Sequence, residues 1–205
     1  MAKFWLSKNP TLQSMCLNRH AETIDALERP EILHHLPSFA NSTVLDLGAG
    51  IGRFTGEFAK SARKVIALDF SPHFLEANQQ AHICFSNIEY LCSDATRAKF
   101  PPHSFDLIFI SWLFMYLNNS QLQRLSRRIT RWLKPQGILF FRESCAPKTT
   151  LYRNDGYYAH YRSMPDYSRL FPKLTLLKQD NIRAYEDLSA DAFKCFWVYK
   201  KPCGT

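Results

Sequence analysis

The sequence has 205 residues, 46% hydrophobic and 21% charged, which suits one soluble domain with a sizeable core and leaves no room for a second full one. A formal net charge of +8 admits an acidic small substrate, a nucleic-acid partner or an ordinary solvated surface. The opening "MAKFWLSKNP" lacks the pattern of a secretory leader, and the longest apolar run, residues 105–117, is broken by Asp106 and Ser111 and too short to cross a bilayer, so a soluble cytoplasmic protein is expected.

Residues 11–36 read as helical, with apolar positions at Leu12, Met15, Cys16, Ile24, Leu27, Ile32, Leu33 and Leu36 and a break or restart around Pro30. This segment precedes the first strand, and residues 1–40 are expected to form a helical lid. "TVLDL", residues 43–47, is the first strand, and residues 53–61 the first crossover helix. "KVIALDF", residues 64–70, is a second buried strand, after which Ser71 and Pro72 supply an N-cap and a first-turn proline for a helix to about Ala81. "IEYLCSD" and "FDLIFI" are the third and fourth strands. Asn119 or Ser120 caps a long helix ending before Pro135, and residues 137–141 form the fifth strand.

After Glu143 a tyrosine-rich polar stretch, residues 149–167, precedes a short helix and two apolar runs, residues 174–177 and 193–199, which read as a terminal antiparallel pair. The alternation predicts an α/β fold: a doubly wound, mostly parallel seven-stranded sheet, Rossmann-like, with its core in residues 41–145 and a substrate-binding segment and terminal strands in 146–205. The six cysteines, at 16, 84, 92, 145, 195 and 203, show neither C-x-x-C pairing nor zinc spacing, so reduced, mostly buried thiols and no metal are expected. Arg124, Arg127, Arg128, Arg131 and Lys134 share one helix without aromatics for base stacking, and read as a solvated face, with no nucleic-acid partner expected.

The chemistry concentrates in "TVLDLGAGIGRFTGEF". A strand runs into a small-residue turn and then a helix, the arrangement that lets a nucleotide approach the backbone. Arg53 occupies the last position of a G-x-G-x-x-G fingerprint, and the series is instead G-x-G-x-G with Asp46 two residues ahead; this favours S-adenosylmethionine over a nicotinamide dinucleotide. In an open α/β sheet the ligand lies beyond the carboxyl ends of the strands. Asp46, Gly48, Ala49, Gly50 and Gly52 end the first strand, Asp69 and Phe70 the second, Asp94 and Ala95 the third, and Ser111 and Trp112 follow the fourth. Asp69 can accept from both ribose hydroxyls, Asp94 suits the adenine amino group, and the glycine turn accommodates the methionine end. One aspartate at a strand end is commonly a cap or turn residue; the combination points to the cofactor.

"VLDLGAGIGRFTGEFAK", "VIALDF", "WLFMYL", "FFRESC" and "HYRSMPDY" resemble the first methyltransferase domain of the phosphoethanolamine N-methyltransferases of plants and nematodes. The likeness extends from Phe4-Trp5 through "LERPEIL" to "KCFWVYKK". The resemblance implies a class I fold, S-adenosylmethionine as methyl donor, a small phosphobase as partner, and methylation of the amine of phosphoethanolamine, the first step toward phosphocholine. It places Tyr116 where single-domain protozoan relatives carry a catalytic histidine; a core aromatic is the alternative. It places Phe4 where a tyrosine latches the site, leaving Phe4 and Trp5 as apolar cover. For the phosphate it implies tyrosine, arginine four residues on, and tyrosine two further. Tyr161 and Tyr167 fit, but Pro165 takes the arginine position, so Arg162 or Arg153 is expected to supply the charge. Tyr152, Tyr157 and Tyr158 are expected to add an aromatic wall for a methylated ammonium. The departures at Phe4 and Pro165 leave a methyltransferase acting on another small amine or acid as the rival enzyme reading. A non-catalytic S-adenosylmethionine-binding partner protein is the rival of a different class.

Overall fold

The computed structural model of the chain describes residues 2–154, 156–185 and 194–204. Three helices lead in, α1 (Ala2–Leu6), α2 (Leu12–Cys16) and α3 (Ala21–His35). The break in this segment falls at Leu17, not at Pro30. Leu17 has a φ of 51° and its N–H returns to the Gln13 carbonyl, which closes α2, whereas α3 runs through Pro30. Pro30 and Ala26, whose carbonyl loses its amide partner, are both exposed, so water can replace the missing hydrogen bond.

The regular alternation follows: β1 (Thr43–Leu47), α4 (Thr55–Ala59), β2 (Lys64–Asp69), α5 (Pro72–Ala81), β3 (Ile88–Cys92), β4 (Phe105–Ser111), α6 (Asn119–Trp132) and β5 (Leu133–Ser144). Ser71 caps α5 as expected. The cap of α6 lies one residue before the expected pair: the Asn118 side chain accepts the Gln121 N–H at 2.9 Å while the Gln121 side chain accepts the Asn118 N–H at 3.0 Å. The tyrosine-rich stretch is a two-stranded antiparallel ribbon of β6 (Thr150–Asn154) and β7 (Tyr157–Tyr161). The short helix α7 (Met164–Ser168) falls at the end of that stretch rather than beyond it. β8 (Thr175–Asn181) and β9 (Lys194–Lys200) form the terminal antiparallel pair; Phe193, the first residue expected there, lies outside the described residues.

The main sheet has seven strands in the order β3-β2-β1-β4-β5-β9-β8. All pair in parallel from β3 to β5, and β9 runs antiparallel to both of its neighbours. The order reverses between β1 and β4, opening a crevice at their carboxyl ends. Side chains alternate between two buried layers. Leu45, Leu47, Ile108, Ile110 and Phe141 pack against Leu122, Leu125 and Ile129 of α6. Val44, Leu107, Phe109 and Phe140 pack against Ile24 and Ile32 of α3 and Phe58 of α4. The central strands are therefore buried on both faces, which explains their nearly continuous apolar sequence. Among the described residues no helix is long and apolar enough to cross a membrane.

Candidate active site

The turn after β1 folds back on the end of β2. The N–H groups of Gly48 and Ala49 both reach the Leu68 carbonyl, at 2.8 and 2.9 Å. Gly50, with a φ of 55°, donates its N–H to Asp69 Oδ2 at 2.9 Å, and Asp69 Oδ1 accepts the Ser71 N–H at 2.9 Å. A side chain at Gly50 would also run into the Met15 sulfur of α2. Beneath the turn the Thr55 hydroxyl donates to Asp46 Oδ2 at 2.7 Å and receives a bond from Asn78 at 3.0 Å. Burial pushes Asp46 up to about 7, against the pull of the Thr55 hydroxyl and with the help of the Asp69 charge; burial likewise raises Asp69 despite its backbone hydrogen bonds.

These groups open onto a cavity of about 320 Å³ whose wall includes Asp46, Gly48, Ala49, Gly50, Asp69, Phe70, Asp94, Ala95, Ser111 and Trp112. Four strand ends thus meet in one space. Asp94 holds the turn that follows it, accepting the Thr96 N–H and hydroxyl on Oδ1, each at 2.7 Å. Ala2 and Trp5 of α1 and Met15 of α2 cover this cavity. Trp5, 7% exposed, meets Tyr116 edge to face at 5.3 Å and Phe74 at 6.3 Å. Gly52 is not in the wall; with a φ of 89° it packs its α-carbon against Asn78 and His82, so its glycine requirement comes from helix packing.

A second cavity, about 550 Å³, shares Met15, Trp112 and Tyr116 with the first. Tyr152, Tyr157, Tyr161 and Tyr185 line it, together with Phe4 and Lys194. Phe4 meets Tyr157 at 5.1 Å, and Tyr157 lies 6.0 Å from Tyr116. Burial and Tyr157 hold the Tyr116 hydroxyl well above the ordinary tyrosine range. Lys194 is the one charged side chain among the described residues lining this cavity. Its ammonium is 5.8 Å from the Tyr185 ring, and burial pushes its pKa down, with Arg142 adding to the effect. Sequence reasoning missed Lys194 because "KCFWVYKK" reads as a buried terminal strand, and only the fold brings its first residue to the tyrosines.

Trp112 forms the partition between the cavities. It has a φ of 54°, a left-handed conformation that is uncommon for a bulky residue and concentrates at functional sites. Its ring lies on the Arg142 guanidinium at 3.5 Å, and its indole N–H finds no acceptor among the described residues. Below it, α3 is tied to the sheet by a buried ionic cluster in which Arg53 pairs with Asp25 and Glu28, and Arg142 pairs with Glu28. The Tyr185 hydroxyl donates to Glu28 at 2.5 Å.

Three of the residues expected at the phosphate do not reach either cavity. Arg153 is exposed on β6. Arg162 is 3% exposed, and its guanidinium is taken up by the Phe114 carbonyl at 3.0 Å, the Leu117 carbonyl at 2.7 Å and the Asn119 side chain at 2.9 Å. Tyr167 is wholly buried, packed on Phe141 and Trp197 in the layer below the sheet. Pro165 occupies the first turn of α7 and is exposed, so the position expected for an arginine does not face the cavity. Tyr152 and Tyr161 do line the second cavity; Tyr158 lines the first. The cysteines also differ from expectation: Cys145 and Cys195 are buried, Cys16 is half-buried, and Cys84, Cys92 and Cys203 are exposed thiols.

A family model described as a methyltransferase domain matches residues 44–137. Phosphoethanolamine N-methyltransferase 1 of Triticum aestivum is 41% identical over 198 residues, covering 95% of this chain and 39% of the relative. The Caenorhabditis elegans enzyme of the same name is 40% identical over 149 residues, or 72% of this chain and 31% of its own. The structure of Haemonchus contortus phosphoethanolamine N-methyltransferase 1, in complex with phosphoethanolamine and S-adenosylhomocysteine, superposes with a TM-score of 0.87 at 32% identity, over 96% of this chain and 47% of that one. This chain therefore has the class I methyltransferase fold and is a homologue of the phosphoethanolamine N-methyltransferases, spanning about two fifths of the wheat relative's length.

Proposed function

We propose that this chain transfers a methyl group from S-adenosylmethionine to the amine of phosphoethanolamine. The observation that carries this reading is the pair of adjoining cavities, one walled by acids and a glycine turn and the other by tyrosines and Lys194, meeting at Met15, Trp112 and Tyr116. The first cavity fits the donor. The Asp69 carboxylate accepts the N–H groups of Gly50 and Ser71, with Phe70 a further backbone donor, and its remaining acceptor capacity is assigned to the ribose hydroxyls, while Asp94 Oδ1 is occupied by Thr96 and Oδ2 is left for the adenine amine. When bound, S-adenosylmethionine supplies a methyl group on a positively charged sulfur, and no nucleophile from the protein is required.

What the chain must do is hold the acceptor in line, exclude water and favour the neutral amine. Taking the amine pKa as about 10.4, neutralisation at pH 7 costs about 4 to 5 kcal/mol. The helices before β1 serve as the lid: Trp5 and Met15 cover the donor side and Phe4 the acceptor side. The Tyr116 hydroxyl, held protonated by burial, orients the amine as a neutral acceptor of its N–H bonds rather than as an ionised base. Lys194 meets the phosphate, with Tyr152, Tyr157 and Tyr161 as hydroxyl donors; a bound dianion would offset the burial that depresses the lysine. Tyrosine hydroxyls facing the amine favour a primary amine with N–H bonds to give, so the first methylation is the step assigned. The reading implies a cytoplasmic enzyme.

Incubation with methyl-labelled S-adenosylmethionine and phosphoethanolamine, followed by mass spectrometry, tests it. The expected product is phosphomonomethylethanolamine. Accumulation of phosphocholine would show one site performing all three steps, and no label in any phosphobase would overturn the reading.

A further inference from the structure

Tyr116 ends a 3-10 turn, Phe114–Tyr116, and such a turn is too short to satisfy its own backbone. Its internal bonds are Tyr116 N–H to Leu113 and Leu117 N–H to Phe114, both 3.1 Å. Phe114, Met115 and Leu117 are buried, where an unpaired amide or carbonyl is costly. Two charged side chains supply five further bonds, one to the turn's N–H groups and the other to its carbonyls. Glu143, fully buried at the end of β5, accepts the N–H groups of Leu113 at 2.9 Å, Phe114 at 2.6 Å and Met115 at 3.3 Å. Arg162 takes the carbonyls of Phe114 and Leu117. The two come from adjoining backbone, because Arg162 bridges to Cys145 and its carbonyl accepts the Ala146 N–H at 3.2 Å.

We propose that Glu143 and Arg162 are positioning residues for Tyr116: carboxylate and guanidinium grip the donor and acceptor sides of one turn and hold its tyrosine at the wall between the two cavities. This rests on the methyl-transfer reading for what Tyr116 does there, and on the geometry alone for the grip. The arrangement explains why the charge expected at the phosphate lies elsewhere. Arg162 is spent on the turn, and Lys194 is left for the ligand. It also brings a pH dependence. Burial pushes Glu143 up to about 7, against its three N–H bonds and the Arg162 charge. The titratable groups facing it are the hydroxyls of Tyr116, Tyr157 and Tyr167 and the Cys145 thiol, all pushed up and so protonated near neutrality, and the Cys195 thiol opposite it in the β5–β9 register, which its hydrogen bond with Cys145 pulls down. A protonated carboxyl is the weaker acceptor, so the grip loosens as pH falls below 7.

A double-mutant cycle with Glu143→Gln and Tyr116→Phe, read as kcat, tests the coupling. Glu143→Gln is expected to lower kcat about 10- to 100-fold in the wild-type background and less than about 3-fold in the Tyr116→Phe background. The ratio of wild-type to Glu143→Gln activity should also shrink from pH 8 to pH 6. Additive losses, or a ratio independent of pH, would overturn the proposal. Amide hydrogen exchange needs neither turnover nor a variant that folds. In the wild type, protection of Leu113, Phe114 and Met115 should drop about 10-fold or more from pH 8 to pH 6 while that of Thr43–Leu47 holds, and unchanged protection would refute the grip. A wild type that exchanges as expected yet methylates nothing would sink the assigned reaction and leave the grip standing.

Discussion

Asp69 joins the two sides of the nucleotide crevice: its carboxylate, at the end of β2, accepts the N–H of Gly50 in the turn after β1 at 2.9 Å and that of Ser71 at the head of α5 at the same distance. The group assigned to the ribose therefore also shapes the glycine turn. Neither job is separable from the other in a truncation.

Asp69→Ala removes the acceptor for two hydroxyls together with the anchor of Gly50. Affinity for S-adenosylmethionine should fall by about 2 to 3 kcal/mol, roughly 30- to 150-fold. Calorimetry on the folded variant reads this directly, and an unchanged dissociation constant would remove Asp69 from the donor site.

Asp46 gives the ligand-free protein a pH signature. With its native pKa raised from 3.8 to about 7, the folded state holds the proton more tightly than the unfolded chain does. Its contribution is thus fully present below pH 4 and is lost as pH climbs through 7, by about 4 kcal/mol. Asp46→Asn, which keeps an acceptor for Thr55 and cannot titrate, should gain that much stability relative to wild type between pH 4 and pH 8. Urea denaturation at the two ends of the range measures the gap, and a constant difference would mean that Asp46 titrates normally.

Tyr116→Phe keeps the ring that meets Trp5 and Tyr157 and deletes the hydroxyl. The expected loss is about 10- to 1,000-fold in kcat with S-adenosylmethionine affinity nearly unchanged. Steady-state kinetics beside a binding titration separates the two. Full activity would leave Tyr116 as packing.

The legible parts of the sequence were those set by local rules. β1 reads directly from "TVLDL" because it is buried on both faces, and α5 from Ser71-Pro72 because a cap and a first-turn proline act within four residues. The acids and glycines that wall the first cavity, Asp46, Gly48, Gly50, Asp69 and Asp94, were legible because they sit at strand ends, where topology and sequence coincide; Gly52 shares their motif and is turned onto Asn78 and His82 instead. The tyrosine-lined cavity was not legible. Tyr161 and Tyr167 are six residues apart and look alike in sequence, yet one lines the second cavity and the other is buried on Trp197, because the chain turns from β7 into α7 between them. Arg162 looked available and is consumed by a turn 45 residues back in the chain. Lys194 looked like a strand residue and faces tyrosines contributed by β7. Pairings made only by the tertiary fold leave no periodicity to read.

The most direct test of the account compares kcat/KM for phosphoethanolamine and ethanolamine in the wild type and in Lys194→Met, which keeps an unbranched stem, shorter by the terminal nitrogen, and removes the charge. A site whose buried donors await a dianion should favour phosphoethanolamine by about 10⁴-fold in the wild type, and the substitution should erase about 100-fold or more of that preference while leaving the ethanolamine rate nearly unchanged. Equal kcat/KM for the two amines in the wild type would contradict the assignment of this chain as a phosphobase methyltransferase.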